Sequence, residues 1–292
     1  MYILNPSVDF AFKKIFGTEE NKDLLISFIN AVLSEEDQAV EISLLNPYSL
    51  LDVRGSKGFI FDIRAKDVKN RYFKIEIQFR DEGDYDECVL QEWAKLYGDR
   101  TDDSKDCFIS RKTIAIHIHY FLCILNNKNY ANKFSLAGKS STQPYVQDLV
   151  IYTIELDKFV GKASGDINLI LPRIKNSLDR WVAFLTNGPH LDRNNLPKEL
   201  IDDLYIKKAL DVLNTLHLNK EEDEIYENHL KWLRIVTSAI KKAKARGWEE
   251  GLAEAKREGK AKEMARNLLK LGIASTAISE ACGLSEEEIR SL

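Results

Sequence analysis

Cysteine is scarce in this chain of 292 residues: there are four, Cys88, Cys107, Cys123 and Cys282, and no two form a CxxC pair. Such a scatter offers neither a disulfide framework nor a zinc cage. Long apolar runs are also missing, and nothing approaches the roughly 20 residues that span a bilayer. With no secretory leader recognisable, the expectation is reduced thiols, a cytoplasmic location and no membrane partner. A large excess of one charge is lacking too. The formal net charge is −4, so a nucleic-acid partner would have to be held by a local basic face rather than by the chain as a whole. What is present suffices for a substantial core: 44% of residues are apolar and 30% charged, over a length that suits one large or two modest domains.

The most informative stretch runs from Gly58 to Arg80, GFIFDIRAKDVKNRYFKIEIQFR. Phe59, Phe61, Ile63 and Ala65 alternate with Ile60, Asp62, Arg64 and Lys66. Further on, Phe73, Ile75, Ile77 and Phe79 alternate with Tyr72, Lys74, Glu76, Gln78 and Arg80. A period of two predicts two strands, each with one apolar and one polar face. The turn between them centres near Lys69-Asn70, where Asn tolerates the positive φ of a tight hairpin. That centre sets position 62 opposite 76 or 77, and parity selects Glu76. Cross-strand neighbours lie about 5 Å apart, so Asp62 and Glu76 are placed to hold one divalent cation on the wet face. The alternative is a hairpin that carries acids on its solvent side and no metal. Oxygen donors suit magnesium, which bridges phosphate, polarises a phosphodiester and supplies a more acidic water.

Upstream, Ser7 is expected to cap a helix that holds Asp9 in its first turn and stops at Gly17. Asp9 and Lys13 are four apart, the spacing of a surface ion pair. A second helix is predicted from Asn21 to Leu33, and a strand within Glu41–Tyr48. After the hairpin come an acidic loop (Asp81 to Glu87), a helix from Cys88 to Gly98, and strands at Lys112–Leu125 and Leu149–Leu156. Strands with interspersed helices indicate an α/β or α+β class. His117 and His119 share one strand face, a spacing open to metal. With no third ligand of matching spacing nearby, a half-exposed structural face is the reading preferred.

From Asp166 the pattern turns helical, with segments at Leu169–Leu185, Lys198–Leu218 and Asp223–Ala245. Between Lys241 and Lys270, ten Lys or Arg face five Glu, and Gly247, Gly251, Ala255 and Gly259 recur every four residues. These small residues form a ridge for a partner helix, such as one from a second copy. The alternative is a solvated, partly helical linker. A short helix-turn-helix-like unit closes the chain, with Ser285 and Glu288 as a capping box. Three glutamates, Glu286 to Glu288, make it a poor surface for phosphate, so packing or dimerisation is favoured over base reading.

The segments NPSVDFAFKKIFG, FDIRAKD…RYFKIEIQFR, IELDKF, RWVAFL and the closing LGIASTAISEACGLSEEEIRSL occur in this order. Together they resemble the recombination-promoting nuclease/transposase family, a branch of the PD-(D/E)XK nuclease superfamily, over nearly the whole chain. The resemblance implies a mixed sheet flanked by helices and a magnesium-dependent DNA endonuclease acting in recombination, transposition or phage defence, with manganese as an alternative ion. It implies Asp62 and Glu76 as metal ligands with the Ile77 carbonyl, and Asp9 acting through water. Gln78 would orient the attacking water or a phosphate oxygen, and Lys13 would neutralise phosphate or hold Asp9. Two departures stand out. Phe61 precedes Asp62 where the superfamily has Pro. Gln78 stands where it has Lys, so water activation falls to the metal or to a lysine such as Lys74 or Lys13. The basic residue and paired tyrosines that the family shows after the hairpin are also lacking at Cys88, Gln91 and Glu92. The rival expectation is a protein that keeps the fold and binds DNA or oligomerises without turnover. The expected organisation is a nuclease core over 1–160, a helical layer over 161–238, and a basic helical arm over 239–292 that joins copies of the chain.

Overall fold

The computed structural model describes residues 4–49, 62–78, 112–124, 126–137, 144–161 and 166–292. The strand start at 58–61, the acidic loop at 81–87, the helix expected at 88–98, Cys88 and Cys107 lie outside them. The chain divides into two compact units, 1–229 and 230–292.

The first unit opens with helix α1 (Asp9–Phe16) and helix α2 (Lys22–Val32). Gly17 ends α1, its N–H bonding back to the Lys13 carbonyl. The start of α1 differs from expectation. Val8 holds the N-cap position without a side-chain bond, because the Ser7 hydroxyl donates to Asn5 Oδ1 instead, at 2.6 Å. Strands β1 (Ile42–Leu44), β2 (Ile63–Asp67), β3 (Tyr72–Gln78), β4 (Thr113–His119), β5 (Ala131–Ala137) and β6 (Pro144–Glu155) follow. They form one mixed sheet in the order β1-β2-β3-β4-β6-β5. The β3/β4 and β4/β6 pairs are parallel and the others antiparallel.

One face of this sheet is apolar. Ile63, Ala65, Phe73, Ile75, Ile77, Ile114, Ile116, Ile118 and Ile154 are all buried, as the period-two pattern requires. Helices α3 (Leu156–Val160), α4 (Ile167–Ile170), α5 (Ser177–Asn187), α6 (Lys198–Ile201) and α7 (Leu204–Thr215) complete this unit, together with the first turns of α8 (Lys220–Lys270). Phe12 and Phe16 of α1, Phe28 of α2, and Trp181 and Phe184 of α5 interlock, with Phe16 and Trp181 centroids 5.4 Å apart. Packing of this kind fixes α1 against α2 and α5, and α1 also lies against β3.

Asn219–Glu222, expected as a polar break, begins α8. The Asn219 side chain accepts the Glu221 and Glu222 N–H groups, and Glu222 Oε2 accepts the Asn219 N–H. This reciprocal cap is why a helix rather than a loop begins here, its first N–H groups being satisfied. In the second unit α8 continues to Lys270, and α9 (Ser275–Cys282) and α10 (Glu286–Arg290) close a small core of Ala265, Ile278, Leu284 and Ile289. Gly283 takes φ +70° between them, a left-handed cap that favours glycine. The Ser285/Glu288 capping box forms as expected. No helix among the described residues is long and apolar enough to cross a membrane.

Candidate metal centre

The site is built on the β2–β3 hairpin. Asn70, at φ +59°, makes the turn, while Asp67 Oδ1 accepts the Lys69 and Arg71 N–H groups and so closes it. The Arg71 guanidinium, buried, joins Asp67 at 2.6 Å and the Asp37 and Gln38 carbonyls at 2.7 and 2.9 Å. The turn is thereby pinned to the segment after α2. Register follows: Ile63 pairs with Ile75 and Arg64 with Lys74. Carried one step further, this sets Asp62 opposite Glu76, as the alternation predicts.

Asp62 is partly exposed, with 16% side-chain accessibility. Its Oδ1 accepts from the Asn46 amide at 3.1 Å and its Oδ2 meets Arg64 Nε at 2.8 Å. Asn46 also accepts the Arg64 N–H, so one amide after β1 holds both the acid and its neighbour. Glu76 departs from the wet face expected for it. Only 1% of it is exposed and Lys74 is buried beside it. Glu76 Oε2 lies 2.6 Å from Lys74 Nζ, yet the approach is too oblique to give that oxygen a directed hydrogen bond. Its Oε1 accepts from Gln78 Nε2 at 2.7 Å and faces His117 Nδ1 at 3.1 Å. Burial opposes ionisation of Glu76, but His117 and Lys74 outweigh it and hold the carboxyl well below the ordinary range.

His117 is the residue whose role the sequence did not disclose. It stands on β4 directly across from Glu76, with His119 across from Gln78. Both are buried rather than half exposed, and their rings lie nearly parallel, 9° apart. Burial, reinforced by His117, pulls His119 down to about 3, so its ring is neutral. Only the parallel register of β3 with β4, strands separated by the segment 79–112, reveals the His117–Glu76 contact. Nothing in the sequence pattern marks the roles of Arg64 and Asn46 either, although Arg64 stands two residues from Asp62 on the same face.

Asp9 makes its contacts elsewhere. It begins α1, is buried, accepts the Phe10 N–H at 2.6 Å, and lies 3.0 Å from His229 Nδ1. Burial pushes its carboxyl well above the usual range, only partly opposed by the Phe10 N–H. Burial also pulls His229 down to about 4. Lys13 is buried one turn further on, so neither it nor Asp9 belongs to an exposed surface pair. Among the described residues no three His, Cys, Asp or Glu side chains are gathered around a common metal position. A cation held by Asp62, Glu76 and the Ile77 carbonyl draws on only two of them. Two carboxylates and a carbonyl are a hard-oxygen set that suits magnesium or manganese, and the buried Glu76 Oε2 is an acceptor without a directed donor. The residues fit such an ion.

A family model described as PD-(D/E)XK nuclease family transposase matches residues 6–243, from the residue after Asn5 into the exposed part of α8. No curated protein and no solved structure matches the chain.

Proposed function

Because the chain belongs to the PD-(D/E)XK nuclease family of transposases, we propose that it is a magnesium-dependent DNA endonuclease serving recombination, transposition or phage defence. The observation that carries this reading is the β2–β3 register, Ile63 against Ile75, which carried one residue further sets Asp62 opposite Glu76, a buried carboxyl held well below the ordinary range by His117 and Lys74. Asp62, Glu76 and the Ile77 carbonyl would hold the ion, magnesium or in its place manganese. Bound there, the ion would supply charge stabilisation for a phosphodiester and a more acidic water.

The chain's own groups divide the remaining work. Lys74, on the same face as Glu76, is the nearest replacement for the lysine missing at position 78, and its ammonium is placed to neutralise phosphate once released from Glu76. Gln78, lacking a proton to exchange, holds Glu76 through its amide and presents the remainder of that amide to water or a phosphate oxygen. Asp9 acts from the start of α1 through water, with Lys13 behind it. DNA is the partner, and the basic arm over 239–292 joins two copies of the chain.

The test is plasmid nicking by purified protein with magnesium. Asp62→Ala should abolish it while circular dichroism and the melting temperature show a folded protein. Equal nicking by the variant would mean that the activity belongs to a contaminant and would sink the proposal. One observation favours a second reading, a DNA-binding or oligomerising protein without turnover: both carboxylates already have a cation of their own, Arg64 and Lys74. Calorimetry decides, since no heat of binding at millimolar magnesium would favour that reading.

A further inference from the structure

We infer that His117 is a positioning residue for Glu76, fixing the plane of its carboxylate so that Oε2 is the oxygen offered to the metal. The inference rests on the metal site proposed above and concerns a residue outside its ligand set.

The two oxygens of Glu76 are treated differently by their surroundings. Oε1 meets two nitrogens, Gln78 Nε2 from two residues along β3 and His117 Nδ1 from the facing position on β4. Among the described residues Oε2 has Lys74 Nζ 2.6 Å away and no directed hydrogen bond. The last torsion of a glutamate is broad and nearly two-fold, so a carboxylate gripped on one side only would sample many planes. Gripping Oε1 from two strands removes that freedom. It leaves Oε2 in one place, the condition for a ligand atom whose carboxylate need not turn when Lys74 gives way to a cation. Gln78 alone cannot do this, because it shares the strand of Glu76 and moves with it. His117 belongs to the next strand, and its imidazole is buried beside His119, whose ring lies nearly parallel to it. A histidine nitrogen serves better here than a lysine, since a second ammonium on Oε1 would compete with the incoming cation for the whole carboxylate.

The experiment measures manganese binding to the full-length protein by electron paramagnetic resonance of the free ion, with plasmid nicking alongside. His117→Ala should weaken manganese binding on the order of tenfold or more, the size of effect that follows loss of a partner of a ligating carboxylate. His117→Asn, whose amide nitrogen falls near the lost Nδ1, should restore most of the affinity. His117→Gln, which carries its amide further out, should not. A role in packing alone would lower the melting temperature of these variants without separating Asn from Gln in manganese affinity. If His117→Ala does not fold, the Asn and Gln pair still decides. Wild-type affinity in all folded variants, or equal affinity in Asn and Gln, overturns the inference and leaves the metal site standing. Failure of the wild-type protein itself to bind manganese at millimolar concentration overturns both.

Discussion

At the scale of single residues, two of the buried acids of the first unit, Asp9 and Glu76, behave oppositely. Asp9 is raised by burial, so the folded state holds its proton more tightly than the unfolded chain does. The stabilisation this gives is complete below the ordinary aspartate pKa and is lost as pH rises through the folded value. Asp9→Asn should therefore raise the melting temperature at pH 8 more than at pH 5, while nicking falls if Asp9 acts on the metal through water. Melts at the two pH values check the first part, and an unchanged difference between them would contradict it. Glu76 is lowered, so its contribution is present above the ordinary glutamate pKa and is lost as pH falls below it. Glu76→Gln should flatten the acid limb of stability below about pH 4.5, measured by urea midpoints at several pH values. Of these two residues, the sequence disclosed the position of Glu76 but not its burial. Alternation along β3 tells which face a side chain takes, and it carries no information on what covers that face.

At the scale of elements, the hairpin was legible because two local signals agreed, the period-two runs and Asn70 at the turn. The clasp that pins it was not. Arg71 reaches carbonyls 33 and 34 residues away, at Gln38 and Asp37, and such contacts have no local pattern. Arg71→Ala leaves Asp67 buried without its partner, and breaking a buried pair costs about 3–5 kcal/mol. Urea unfolding should report a loss of that size, and a change below about 1 kcal/mol would show that the clasp is idle. Strand β5 is hidden for another reason: in Ala131–Ala137 the apolar Ala, Phe and Leu do not alternate strictly with Asn, Lys and Ser, and the strand lies at the edge of the sheet. The continuity of α8 was hidden by Asn219–Glu222, since the residues that cap a helix are also those that make loops.

At the scale of the molecule, the stretch 241–260 sets the question of assembly. Its described side chains are exposed, Trp248 and Leu252 among them. Among the described residues nothing comes within 4 Å of a methyl placed at Gly247, Gly251 or Gly259. An exposed helix interior gains about 1 kcal/mol from each Gly→Ala change. If a second copy packs on this ridge, Gly247→Ala and Gly251→Ala should raise the helicity of the chain yet weaken association. Light scattering reads the mass, and removal of 241–292 should halve it while the sheet stays folded. A mass unchanged by both alterations would end the case for joining through the arm. The fold class was legible at this scale, because motifs spread from Asn5 to Leu292 preserve their order. The way the helical layer and arm share one helix was not.

The arrangement of charges on the hairpin has one more consequence. Arg64 faces Lys74, the same register carried on sets Asp62 opposite Glu76, and each acid contacts the base two residues from it in sequence. The four formal charges cancel, so without metal the patch exerts little pull on a phosphodiester. A divalent cation between the acids would tip it to +2 and free two cationic side chains at once. Metal and DNA should then assist each other, and thermodynamic reciprocity requires the assistance to be equal in both directions. The protein would behave as a coincidence detector, grasping the backbone firmly only where both are present. Fluorescence anisotropy of labelled DNA, with and without a divalent ion, should show tighter binding with the ion. Arg64→Gln should reduce the difference between the two conditions.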